Sequence, residues 1–411
     1  MIASKLKFAV CVYLAATTAL YAVMFWNVRQ SIRRGYSDFA IYYCAGTIVR
    51  RGLGQQLYDD ATQFRVQREF SPEVAIRAGA LPYNHPPFEA ALFVPFTLVP
   101  YPLAFALWDL VNFVMLIALP FFLAAHLSQL QKYPWPLWVL ASVAFFPIFA
   151  ALLQGQDAIL LLLLYALAFV CLKGNRDVLA GGWLALGLFK PQLLLPLVVL
   201  FLVQGRKKIL SGFLPIAAIL LLVSVAIVGK EGMLLYPHYV MHLENTLARG
   251  AIVPSDMPNL RGALAIFFPG TPPHIVAVIL VISLGLLLFT ASECRKVFGK
   301  NLVELEFSLA AIATVLVSYH ALIYDLSVLM VPVLLLADEL LAGKRWGRHR
   351  VLMMVAMTTF FLPPLQVILS IRNQWAGILG WVLLLWLYGI AKEISFLTTS
   401  RGQPSEMRES V

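Results

Sequence analysis

An all-α polytopic membrane protein is what this sequence predicts, and three observations carry the expectation. Its 411 residues are 61% hydrophobic and 13% charged, with a mean hydropathy of +0.82, whereas about 25% of residues in a soluble domain are charged. Apolar runs recur at the length a helix needs to cross a bilayer, about twenty residues. The 31 lysines and arginines gather at the ends of those runs. That is the positive-inside pattern and not a nucleic-acid stripe, so the net charge of +10 implies no nucleic-acid partner. Cys11, Cys44, Cys171 and Cys294 lack CxxC spacing, which argues against a thiolate metal site and a disulfide framework.

In chain order, 6–28 forms a first span, too long for a signal-peptide core and without a small-residue cleavage site. A polar interval follows, read as an external loop over 29–101. Within it, 61–77 predicts an amphipathic helix with Phe64, Val66, Phe70, Val74 and Ile76 among charges. The stretch 88–99 is short and interrupted by Pro95, which predicts a re-entrant or interfacial helix. Further spans are expected at 102–127, 137–153, 157–173, 209–228, 273–293, 303–319, 322–341, 350–369 and 375–396. Between them, 178–189 and 193–204 read as two short helices joined at Lys190-Pro191-Gln192, because a lysine beside a proline does not suit a lipid-facing helix centre.

This gives about twelve spans in one integral-membrane domain over 1–396, both termini cytosolic, and a polar, disordered tail over 397–411. Eighteen basic residues then fall on the cytosolic side, and eight of the other thirteen lie in the long external loop. Short loops decide orientation, and they agree. The expected place is a bacterial inner (plasma) membrane, with the functional face periplasmic or extracellular.

That topology collects polar residues at one membrane depth: Asp38, Tyr42, His85, Glu89, Gln156, Lys190, Gln192, Asn259, Arg261, His320, Tyr324 and Asp325. Asp38 suits a general base or a helix N-cap. His85 precedes Pro86-Pro87 and is either a turn residue or a substrate contact; Glu89 enters an apolar segment as a ligand contact or a snorkelling carboxylate. In Gln154-Gly155-Gln156-Asp157, Gly155 permits a tight turn, Asp157 is expected to cap the next helix, and Gln156 is a candidate ligand contact. Lys190, Arg261 and His320 suit a phosphate, or headgroup anchoring. Asp325 is placed to orient His320 or pair with a cation. DxD, HExxH, GxSxG, Walker and strand-borne GxGxxG patterns are absent, so neither a metal nor another cofactor is expected.

Several short motifs recur in order: Ser37-Asp38-Phe39 with Tyr42-Tyr43, Gly54 through Tyr58-Asp59, and Tyr83-Asn84-His85-Pro86-Pro87-Phe88. Gly155-Gln156, Lys190-Pro191-Gln192, Asn259-Leu260-Arg261-Gly262 and Ser318-Tyr319-His320 follow. Over about residues 8–395 this order and spacing resembles glycosyltransferase family 87. The resemblance implies a GT-C fold and an inverting transfer of mannose from a polyprenyl-phosphate donor to a glycan or glycolipid acceptor, with membrane lipids around the donor tail. It implies Asp38 as base and Lys190, Arg261 and His320 around the donor phosphate; the polar set itself offers Tyr42, His85, Glu89, Gln156, Gln192, Asn259 and Tyr324 as substrate contacts. A phosphate leaving group needs no acid catalyst, so one essential carboxylate suffices where hydrolases use two. A transporter or flippase, or an outer-face polysaccharide ligase or polymerase, is the competing reading of the same polar set.

Overall fold

The computed structural model describes residues 2–72, 81–245, 253–268, 272–297, 302–342 and 349–400, and among them it is built from helices without strands. The first helix, α1 (Ile2–Arg33), outruns its apolar core at both ends. The polar interval follows as α2 (Phe39–Arg50), α3 (Asp60–Phe70) and α4 (Pro87–Phe93), the last continued by a 3-10 segment at Val94–Leu98. Asp59 starts α3 by accepting the Thr62 amide at 2.8 Å. The expected helix over 61–77 is thus shorter in its described part, and Val74, Ile76 and Arg77 lie outside the described residues.

Next come α5 (Tyr101–Leu123), α6 (Trp135–Ala144), α7 (Phe146–Gln154) and α8 (Ala158–Lys173). The pair α9 (Asp177–Leu186) and α10 (Pro191–Val203) is the expected short pair meeting at Lys190. A long helix α11 (Ile209–Asn245) breaks at Gly229 (φ 72°, ψ 178°), so helix continues past the expected end at 228. The chain finishes with α12 (Leu260–Ala265), α13 (Pro273–Val297), α14 (Val303–Val317), α15 (Met330–Leu341), α16 (Arg350–Thr359), α17 (Pro363–Gln366) and α18 (Ile378–Ser400).

Three expected spans are corrected. The 137–153 run bends by 76° between α6 and α7, where Pro147 restarts the helix, and the 350–369 run bends by 65° at Pro363-Pro364. The 322–341 run begins as a 3-10 segment, Ile323–Leu329, before α15. Helix also runs through Ser400, so the tail does not begin at 397; residues 401–411 lie outside the described residues. Among the described residues, five helices are long and apolar enough to cross a membrane, or up to seven if each bent pair is one span. A count of twelve requires the shorter apolar helices, α8, α9 and α10 among them, to be spans as well.

The helices run between two polar ends. Asp157 and Lys190, at the starts of α8 and α10, meet Asp325 at one end. The other ends carry Lys173–Glu304, Arg206–Asp177 and Arg206–Glu306. α8 alone, 16 residues, separates the two by about 24 Å. α9 and α11 cross closely because Gly181 and Gly212 face backbone: a Cβ on either would sit 2.0 Å from the Ile209 carbonyl oxygen or 1.8 Å from that of Val178. The polar interval packs on α5 through an aromatic core in which Phe39, Tyr42 and Phe93 interlock with Phe105 and Trp108 of α5. That core seats the first turn of α2 against the turn between α7 and α8.

Candidate active site

Asp38 stands at the N-cap position of α2, yet its side chain makes no capping hydrogen bond. It is held instead from the Gln154–Asp157 turn. The Gln154 side-chain oxygen accepts the Asp38 backbone N–H at 3.1 Å, and Gln156 Nε2 donates to Asp38 Oδ2 at 2.9 Å. Tyr324 is also within hydrogen-bonding reach of the carboxylate. The capping role is thereby set aside, and a half-buried carboxylate is left oriented by its neighbours.

Gln156 is buried and shared. Its Oε1 accepts from the Tyr42 hydroxyl at 2.7 Å and from Lys190 Nζ at 3.4 Å, while its backbone carbonyl accepts from Asn112 Nδ2 at 3.3 Å. Lys190, itself buried, lies 2.5 Å from Asp325 and 2.8 Å from Asp157, with its ammonium 5.1 Å from the centre of the Tyr324 ring. Asp325 holds the Leu322 amide with its other oxygen at 2.8 Å. Of the two roles expected for it, pairing with a cation is the one observed. Asp157 is corrected: its side chain makes no cap bond to α8 and faces Lys190.

Beside this centre His85 Nδ1 sits 2.8 Å from Glu89 Oε2, and the His85 ring lies edge-on to Tyr42 at 5.1 Å. The turn holding His85 is fixed by Tyr58, which donates to the His85 carbonyl at 2.8 Å. Burial pushes the imidazole down to about 4, and burial followed by the neighbouring Asp157 lifts Glu89 well above the usual carboxylate range. A neutral His85 follows at neutral pH. His85, Glu89 and Asp157 each bring one ligand atom within 4.8 Å of the others. The set fits a divalent ion poorly, because Lys190 already presents a cation to Asp157.

A second group adjoins the first. Asn259 begins α12, its Oδ1 accepting the Gly262 amide at 2.9 Å and its Nδ2 donating to the Ser318 carbonyl at 2.8 Å. Both ends of that amide are therefore committed to backbone, which explains Asn259 as an architectural tie. Arg261 donates to the Tyr319 carbonyl at 3.3 Å and stacks 4.1 Å from its ring. His320 is close enough to bear on the charge of His85, so the two groups share one end of the helices. Gln192 is half-buried in the first turn of α10.

The apolar pattern of the sequence hides Gln154 and Asn112, which hold Asp38 and Gln156, and beside Asn112 stands Asp109. Asn112 and Asp109 lie inside the apolar run of α5, and an amide or carboxylate at that depth is itself the signal that could have found them. Compared with known proteins, residues 83–318 match the model of glycosyltransferase family 87, more than half of the chain. No curated protein and no solved structure matches.

Proposed function

The chain belongs to glycosyltransferase family 87, and from that premise we propose that it moves a hexose, mannose by preference, from a polyprenyl-phosphate donor to an acceptor hydroxyl with inversion. It is a membrane glycosyltransferase; donor, sugar and mechanism are our reading. Asp38 takes the acceptor proton, a role that suits a carboxylate oriented by hydrogen bonds and still partly open. The observation that carries this is the release of Asp38 from capping in favour of Gln156.

The leaving phosphate lies on the opposite face of the sugar and is stabilised by cations in a partly dry site. Arg261 and His320 are the groups assigned to it. Lys190 contributes less directly than the sequence suggests, because a phosphate must share its ammonium with Asp157 and Asp325. Tyr42, His85, Glu89 and Tyr324 shape the sugar and acceptor side, within a GT-C-type fold. The catalytic face is taken as the outer face of the plasma membrane and the basic helix ends as cytosolic, with a glycan or glycolipid as acceptor.

Purified protein in nanodiscs, supplied with labelled hexosyl polyprenyl phosphate and an acceptor glycolipid, is expected to transfer the sugar and to ignore GDP-mannose. Asp38→Asn keeps the shape and removes the base, so turnover should fall by about 10²-fold or more while donor binding survives. Direct transfer from GDP-mannose would overturn the donor assignment. Movement of labelled lipid across the bilayer without transfer would favour a flippase, and en bloc transfer of a preassembled chain would favour a ligase.

A further inference from the structure

We propose that the Gln154-Gly155-Gln156 turn is the positioning element of the Asp38 base, with Gln156 fixing the orientation of its carboxylate. This deepens the reading of Asp38 as base, and it replaces the expectation that Gln156 touches substrate. Gln154 fixes the backbone of Asp38 and Gln156 fixes its carboxylate. Gly155 lets the turn approach: at φ 61° it is left-handed, and a Cβ there would stand 2.8 Å from both Phe39 Cβ and the Phe105 ring. The turn and the first residues of α2 are therefore in direct contact, with no room for a side chain between them.

Gln156 has a forced orientation. Two donors, Tyr42 and Lys190, converge on Oε1, so the amide nitrogen must face Asp38. The flipped amide would set its oxygen against the carboxylate and its NH₂ against two donors. Gln156 thereby holds the Oδ2 side of the carboxylate, and the Tyr324 hydroxyl lies within hydrogen-bonding reach of the same group. Lys190, in turn, is immobilised by Asp157 and Asp325, which passes the rigidity of three helix ends to the base.

The charges around Asp38 make this donation matter. Tyr42 lies on its own helix, Tyr324 and Asp325 come from Ile323–Leu329, and Asp157 comes from the start of α8. Glu89 comes from α4 with His85 just before it, Lys190 precedes α10, and Tyr101 of α5 bonds Ser37 at 2.8 Å. Lys190 is the cation of this set and is spent on two carboxylates. Hydrogen bonds from the Gln156 amide and the Tyr324 hydroxyl then favour the ionised, basic form of Asp38 over its protonated form, and the Gln156 contribution is the one the turn supplies.

The test is the pH dependence of kcat/KM for hexose transfer from hexosyl polyprenyl phosphate by the purified full chain. Gln156→Met keeps length and removes the donor, so the acid limb should move up by about one pH unit, a roughly tenfold loss below it that recovers above it. Gln156→Glu keeps an acceptor for Tyr42 and Lys190 but sets a second carboxylate against Asp38, and should move the limb further. Added to Asp38→Asn, Gln156→Met should cost nothing more, because both act on one step. A flat loss at every pH, or full additivity with Asp38→Asn, makes Gln156 a structural residue and overturns the proposal. Near-normal turnover by Asp38→Asn overturns the base assignment itself, a separate result from failure at Gln156.

Discussion

The two ends of this helical assembly solve the burial of charge differently. At the end opposite the site Lys173 pairs with Glu304 and Lys296 with Glu293 at 2.6 Å, while the buried Arg206 faces Asp177 at 3.0 Å and Glu306 at 3.6 Å. The first two lysines keep 31% and 48% of their side-chain surface open. At the site end a buried ammonium faces two buried carboxylates, Glu89 is buried beside them, and Asp38 is tied in through Gln156. The two lysine pairs, which water can reach, hold helix ends together and are replaceable one at a time. A shared network inside the fold ties each member's charge to the others, and that is where chemistry can be tuned.

The largest effect should come from taking the cation out of the network. Lys190→Met leaves Asp157 and Asp325 buried and uncompensated, a class of change that costs about 3–5 kcal/mol. Thermal unfolding in detergent should fall accordingly. Adding Asp325→Asn should restore part of the loss, since the two positions are coupled. A Lys190→Met protein as stable as the parent would erase the contrast between the two ends.

Much of the fold is legible in the sequence because apolar length and helix breakers act locally. The run over 273–293 reappears as α13, and the Lys190 joint follows from Lys190-Pro191 alone. The bends after Ala144 and Thr359 carry their own signals, Pro147 and Pro363-Pro364, which hydropathy averages away. The site was legible as a set of residues and much less as a set of contacts. Asp38 and Gln156 are 118 positions apart, and Lys190 and Asp325 are 135 apart. Nothing local distinguishes an aspartate that caps from one that faces a lysine, which is why Asp157 was assigned to the wrong partner.

An effect of intermediate size belongs to His85. Its imidazole is held down at about 4 by burial, against 6.5 as the ordinary value, so the unfolded chain binds the extra proton first as pH falls. Stability contributed by the neutral, buried ring is therefore complete above pH 6.5 and is lost as pH falls toward 4, by at most about 3 kcal/mol. Glu89, shifted upward, acts with the opposite sign above the ordinary carboxylate range, so the His85 contribution is read as a difference. Subtracting the unfolding profile of His85→Gln from that of the parent should leave a curve that drops between pH 6.5 and 4. A difference that is flat with pH would mean that the ring titrates as an ordinary solvated imidazole.

The smallest effect should be at the opposite end, and its smallness is the sharper test. Lys173 contacts Glu304 and also donates to the His126 carbonyl at 3.4 Å. Lys173→Met keeps the apolar stem that packs there and removes only the charge. Glu304 stays in the first turn of α14, where the unpaired amides of a helix start favour a carboxylate, so its loss of a partner is buffered. Because the lysine is about one-third open to solvent, the stability change should stay below about 1 kcal/mol and shrink further in high salt. Hexose transfer should keep its rate and its pH profile, since about 24 Å of α8 separates this pair from Asp157. A loss of 2 kcal/mol or more would place Lys173 among the network charges. A shifted pH profile with stability unchanged would mean that the two ends of α8 are coupled, and the division between a holding end and a working end would fail.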